Sequence, residues 1–383
     1  MRSLACRLEH ILPSASMSMA QKVIESSDTK KVIDLTWGQP DFDTPEHIKE
    51  AAWTAIRAGK NGYTPSSGIP ELRNAIVDFY KTHYNVLYNP QTEVLVTPGT
   101  KQGLMYLMQT IIDPGDEVVL FEPCWLSYRD MILLNGGIPR FIPAQKGLLP
   151  DLSGLEETVN SKTKAILINN PVNPSGYVFK RNELELIVQI ADRYDLYIIA
   201  DEIYDRVVFV EFISLSKFEN MRDRLIIANG FSKSYAMTGW RIGYLLGCEK
   251  IISKVSLIHQ HTATCAAAPS QYAALAALNG SQDSVDNMTR IYKERRDFMV
   301  DRLKNLSFSL ATPEGTFYAM LDVSNLNVPS ERNAEQLLDK YGIATVSGIS
   351  YGQSAANYVR ISLTKDKKQL AEVVERLKSK NSV

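Results

Sequence analysis

A chain of 383 residues, 45% of them hydrophobic, is long enough to bury a large core and to divide into two lobes. Its 42 basic and 43 acidic residues leave a formal charge of −1, which argues against nucleic acid or an anionic membrane as a partner. Cys6, Cys124, Cys248 and Cys265 show neither CxxC nor zinc-type spacing and suit reduced thiols in a cytosol, with no metal site expected. Ser3-Leu4-Ala5-Cys6 has the outline of a lipoprotein cleavage site, but no apolar segment precedes it, and no apolar run reaches bilayer length, so a cytoplasmic location is expected. Residues 1–36 read as an arm and a helix that pack with the C-terminal part of the chain. Short apolar runs rich in branched residues follow at 93–96, 117–121, 165–168, 196–200, 225–228 and 242–246; being apolar on both faces, they suit strands covered by helices on each side. Between them, 103–112 places Leu104, Leu107, Met108 and Ile111 on one helical face, and 183–194 does the same with Leu184, Ile187, Val188 and Ala191. Past residue 280 the texture changes to a long charged helix over 287–306 and a smaller α+β unit with a terminal helix from Lys365. The expected fold is α/β: a mainly parallel central sheet in a large domain (37–280), with a smaller α+β domain built from the N-terminal segment (1–36) and the C-terminal one (281–383).

In open α/β sheets, ligands bind beyond the carboxyl ends of the strands. Asp201, Asn173, Trp125, Ser232-Lys233 and the turn Thr97-Pro98-Gly99-Thr100-Lys101 each follow a different predicted strand, so five separate segments converge on one crevice. Lys233 stands among small residues, with Arg241 eight positions on, which is a plausible Schiff-base site with a phosphate clamp. The phosphate would sit on the unpaired amides at the start of the helix near Thr100. No G-x-x-x-x-G-K-[ST] occurs and no G-x-G-x-x-G follows a strand, so a nucleotide P-loop and a Rossmann fingerprint are excluded.

The stretch from Asn229 to Gly243, together with Ala200-Asp201-Glu202-Ile203-Tyr204, Tyr358-Val359-Arg360-Ile361-Ser362 and Trp37-Gly38-Gln39-Pro40-Asp41-Phe42, resembles fold-type I, pyridoxal-phosphate-dependent class I aminotransferases. The resemblance runs from about Arg2 to beyond Arg360. It implies pyridoxal 5′-phosphate bound to Lys233, which also carries the substrate Cα proton. It further implies Asp201 on the pyridine nitrogen, Tyr204 and Asn173 on the phenolic oxygen, and Trp125 stacked on the ring. Gly99, Thr100, Lys101, Ser232 and Arg241 would surround the phosphate, with Tyr63 reaching it from the neighbouring subunit of a homodimer. Arg360 and the Gly38 backbone would hold the substrate α-carboxylate, beside Trp125 and Asn173; Glu202 would face away as a structural residue.

The branch that has lysine at position 101 includes aspartate and prephenate aminotransferases. There the resemblance implies that Lys101 reads a distal carboxylate and that an arm with Ser16 closes over the substrate, favouring an aspartate- or glutamate-like donor and an oxoacid such as 2-oxoglutarate. Trp37 is bulkier than that pattern, Thr100 replaces a frequent glycine, and His259 and His261 stand in a segment that resembles a pocket wall. A specialised enzyme acting on an aromatic, basic or unusual amino acid, by transamination, elimination or oxidation, is the alternative.

Overall fold

A computed structural model describes residues 4–26 and 32–379. After a short first strand, β1 (Ile33–Asp34), seven strands form one sheet: β2 (Val94–Thr97), β3 (Glu117–Phe121), β4 (Ile138–Ile142), β5 (Thr163–Asn169), β6 (Tyr197–Asp201), β7 (Leu225–Gly230) and β8 (Gly243–Gly247). Their order is β2-β8-β7-β6-β5-β3-β4. All neighbouring pairs are parallel except the two made by β8, which runs antiparallel to both β2 and β7.

Alternation along each strand feeds two separate cores, one on each face of the sheet. Val119 and Phe121 of β3 pack with Leu184, Ile187 and Val188 of the helix Arg181–Arg193. Val118 and Leu120 of the same strand pack with Leu104, Leu107 and Met108 of the helix Thr100–Ile111. Helices on both faces therefore explain why these strands read as unbroken apolar runs. Strand β4 is absent from the sequence reading, and its position accounts for that. It lies at the sheet edge, carries Pro139 and Arg140, and leaves Ile138 and Phe141 exposed, so it never presents an apolar run.

The remaining strands are β9 (Leu310–Ala311), β10 (Tyr318–Asp322), β11 (Ile343–Ala344), β12 (Val346–Ser347) and β13 (Tyr358–Ser362). Four of them make an antiparallel sheet in the order β12-β13-β10-β9, while β11 pairs in parallel with β1. Beneath this sheet, Met19 of the N-terminal helix Ala15–Ser26 joins Met299 and Leu303 of the long helix Asp283–Leu303 and Val373 and Leu377 of Lys367–Ser379. Among the described residues, no helix is long and apolar enough to cross a membrane and no group of His, Cys, Asp or Glu is placed to hold a metal ion.

Candidate active site

The carboxyl ends of β3, β5, β6 and β7 open on a cavity of about 430 Å³, whose far wall comes from β10 and β13. The segment after β3 supplies Trp125, β5 leads into Asn173, β6 ends on Asp201 with Tyr204 in the turn beyond, and β7 leads into Ser232 and Lys233. Arg360 enters from β13, Gly38 from the loop after β1, and Thr100 and Lys101 from the first turn of their helix. Among the described residues that line the cavity, the cations Lys101, Lys233, Arg241 and Arg360 stand with a single carboxylate, Asp201. A site so biased in charge suits a ligand carrying several negative groups.

One corner is built for an anion. The helix Thr100–Ile111 begins after Gly99 at φ 84°; the Gln102 and Gly103 N–H groups donate to the Gly99 carbonyl at 3.1 and 3.2 Å, which leaves the Thr100 and Lys101 amides without a helical acceptor. Close packing beneath that turn requires glycine at two strand positions. A Cβ on Gly243 would stand 2.5 Å from the Thr100 nitrogen, and one on Gly230 2.6 Å from its Oγ1. The Thr100 hydroxyl donates to the Asn229 carbonyl at 2.9 Å, which fixes the turn. Gly99 does not itself line the cavity; its missing side chain admits the Arg241 guanidinium, since a Cβ there would lie 2.6 Å from Nη2. Arg241 donates to the Thr238 carbonyl at 3.0 Å and makes no ion pair among the described residues.

At the centre, the half-buried Lys233 donates from Nζ to the Gly38 carbonyl. Burial lowers the pKa of its amine, and the Arg360 and Arg241 charges lower it further against the opposing pull of Tyr318. Such an amine is a better nucleophile and proton carrier at neutral pH than an exposed lysine. The Asp201 carboxyl is pushed up to about 6 by burial, opposed by the Tyr128 hydroxyl, the Ile203 N–H and the Lys233 charge. Tyr128 donates to Asp201 Oδ2 at 2.6 Å and the Ile203 N–H to Oδ1 at 3.2 Å. Glu202, the next residue, turns to the other side, where its carboxylate accepts from Ser214 Oγ at 2.7 Å and the Leu215 N–H at 2.8 Å.

Opposite Lys233, the Arg360 guanidinium is 3% exposed. It donates to Asn173 Oδ1 at 3.3 Å and the Thr36 carbonyl at 2.8 Å, lies 4.2 Å from the Tyr318 ring centre and 5.3 Å from that of Tyr351, and leaves its Nε without an acceptor. A buried cation with neutral partners alone is costly unless an anion completes it. Lys101 sits 5.2 Å over the Trp125 ring, its pKa lowered by burial and by the Arg241 charge.

Other expected positions fall elsewhere. Tyr63 is 89% exposed and absent from this chain's cavity. Ser16 belongs to the helix Ala15–Ser26, but its side chain lies outside the described residues; its neighbours Ser14 and Met17 do line the cavity. The expectation that the His259–His261 segment walls the pocket is corrected for this chain, because neither histidine reaches the cavity. His259 is fully buried, with Nε2 donating to the Ser66 carbonyl at 3.1 Å and its ring 5.4 Å from that of Tyr106. Sequence reasoning missed Tyr128 and Tyr318. Tyr128 could have been found three residues after Trp125, on the first turn of Ser127–Leu134; Tyr318 carried no local signal.

The sequence profile described as aminotransferase class I and II matches residues 30–377. The chain belongs to that family. The aspartate/prephenate aminotransferase of Thermus thermophilus is 35% identical over 382 residues, covering 98% of both chains. The aspartate aminotransferase of Thermotoga maritima is 40% identical over 351 residues, 90% of each. Among solved structures, the Thermus thermophilus aspartate aminotransferase with maleate superimposes with a TM-score of 0.93 at 35% identity, covering 98% of this chain and 99% of that one. The fold is thus that of fold-type I aminotransferases, and the activity of the chain is amino-group transfer.

Proposed function

We propose that this aminotransferase uses pyridoxal 5′-phosphate to move an amino group between an aspartate- or glutamate-like amino acid and a 2-oxoacid such as 2-oxoglutarate, in two half-reactions at one site. The observation that carries the reading is the buried Arg360 guanidinium, which has no acidic partner among the described residues and faces the same cavity as Lys233. The cofactor fits the donor set: first-turn amides, Ser232 and Arg241 for a phosphate, Asp201 for a ring N–H, and Trp125 for a ring face. When bound, it supplies an aldehyde carbon for the amine and a ring that accepts the electron pair released at Cα.

The chain's own residues do the rest. Arg360 grips the α-carboxylate through a planar fork, with the Gly38 backbone beside it. Lys233 would take the proton from the substrate Cα and return it to the carbon on the far side of the amino nitrogen, a transfer that its lowered pKa favours at neutral pH. Asp201 holds the ring N–H, and Tyr204 and Asn173 orient the phenolic oxygen. Lys101, beside Trp125, offers a second cation for a distal carboxylate. Ser16 closes over the substrate from the N-terminal arm.

Tyr63 is exposed and does not line its own cavity, which supports a homodimer in which it completes the partner's phosphate site. The division into arm and helix (1–36), large domain (37–280) and small domain (281–383), and a cytoplasmic location, belong to the same reading. A second reading rests on Trp37 and Met17, which line the cavity while 48% and 75% exposed. Such apolar surface favours an aromatic side chain, and the similar aromatic-amino-acid aminotransferase 2 of Thermococcus litoralis, 34% identical over 381 residues, acts on that class by its name. The test mixes holoenzyme, without oxoacid, with aspartate, glutamate, aromatic, aliphatic and basic amino acids in turn and ranks the rates of the absorbance change. Fast acidic donors support the role of Lys101; inert acidic donors beside a fast aromatic one overturn it.

A further inference from the structure

Glu122 is 8% exposed and makes no ion pair among the described residues, yet none of the elements described above uses it. It stands just past β3, three residues before Trp125. Its carboxylate reaches across the molecule to the two short turns that precede β13. Oε1 accepts the Gln353 N–H at 3.1 Å, while Oε2 accepts the Ser354 N–H at 2.9 Å and the Ser354 hydroxyl at 2.8 Å. A buried carboxylate needs such donors, and hydrogen bonds to a charged acceptor are stronger than neutral ones.

The joint is shaped around this side chain. Gly352 adopts φ 132°, and a Cβ there would come within 2.5 Å of the Glu122 Cδ, so both the backbone angle and the contact require glycine. Two further bonds close the same seam. The Cys124 N–H donates to the Tyr351 carbonyl at 3.0 Å, and the Ala144 N–H donates to Ser354 Oγ at 2.9 Å. On one side the seam borders Trp125, and on the other Tyr351 stands beside the Arg360 guanidinium.

We propose that Glu122 is a positioning residue for the substrate: it fixes the turn 351–354, and through Tyr351 the Arg360 guanidinium, at a set distance from the wall that carries Trp125. This rests on the reading of Arg360 as the α-carboxylate site. Glu122 does not line the cavity itself. Its removal loosens substrate binding while leaving the phosphate corner, Asp201 and Lys233 in place.

The test compares holoenzyme of the wild type with Glu122→Gln, Glu122→Ala and Ser354→Ala. It reads kcat and KM for the best amino acid, the dissociation constant of an unreactive four-carbon dicarboxylate from the bound cofactor's absorbance, and cofactor affinity. In Glu122→Ala, KM and the dicarboxylate constant rise together by about tenfold, the equivalent of a lost hydrogen bond to a charged group. In Glu122→Gln, which keeps one acceptor oxygen, the rise is about threefold, and in every variant kcat and cofactor affinity stay within about twofold. A lower melting temperature with unchanged KM and dicarboxylate binding would overturn the proposal, leaving a joint that only stabilises the fold. A fall in kcat or cofactor affinity with KM unchanged would overturn it as well. If Glu122→Ala fails to fold, Glu122→Gln and Ser354→Ala decide. Absence of turnover in the wild type refutes the proposed function instead, and dicarboxylate binding then judges Glu122 alone.

Discussion

Replacing Tyr128 by phenylalanine removes one oxygen and with it the 2.6 Å hydrogen bond to Asp201 Oδ2. The Asp201 carboxyl already stands at about 6 because burial disfavours its charge. A hydrogen bond to a charged acceptor contributes about 1.5–3 kcal/mol. At 1.36 kcal/mol per pKa unit, its loss raises the Asp201 pKa by roughly 1–2. The carboxylate form is the one that holds a ring N–H, so cofactor binding to the cofactor-free chain weakens as pH falls through the Asp201 pKa. That midpoint lies near 6 in the wild type and moves upward in Tyr128→Phe. The assay is cofactor affinity by fluorescence titration across pH 5–9. At pH 7 the variant binds about two- to tenfold more weakly, and the difference narrows as pH rises above the shifted midpoint. An unchanged or lower midpoint would refute the account of Asp201 as a carboxylate held ionised by Tyr128.

Three further outcomes follow from the same geometry. Arg360→Lys keeps a positive charge but loses the planar fork, so KM for the amino acid rises on the order of tenfold to a hundredfold in steady-state assays while cofactor affinity is unchanged. Gly243→Ala drives a methyl into the Thr100 backbone nitrogen, and because overpacking of this kind costs about 1–3 kcal/mol, cofactor affinity measured by dialysis falls about tenfold or more. Tyr63→Phe, although Tyr63 does not line its own cavity, weakens cofactor binding; mixing it with Lys233→Ala protein gives hybrid dimers that recover turnover with a complete site if Tyr63 acts across the interface.

Much of this was legible in the sequence because buried parallel strands have to be apolar on both faces, as Val118 to Phe121 are. Edge strand β4 escaped for the opposite reason: with solvent on one side it could carry Pro139 and Arg140. Outside the large sheet, β9, β11 and β12 are only two residues long and leave no periodic pattern. Site residues at strand ends were readable because a strand's direction fixes where its last residue points, as for Asp201. Tyr318 was not, since whether an aromatic side chain in a strand faces a core or a cavity depends on tertiary packing. His259 resolved the other way: its burial against Tyr106 and the Ser66 carbonyl makes it a packing residue of this chain.

The central claim is that amino transfer runs through the Lys233 amine. Its most direct measurement is a single turnover in which cofactor-loaded wild type and Lys233→Ala are each mixed with the fastest amino acid, and oxoacid, ammonia and peroxide are quantified per site. The account predicts about one equivalent of oxoacid from the wild type, with neither ammonia nor peroxide, and none from Lys233→Ala although that variant still folds and binds the cofactor weakly. Oxoacid from Lys233→Ala at the wild-type rate, or ammonia or peroxide from the wild type, would contradict it.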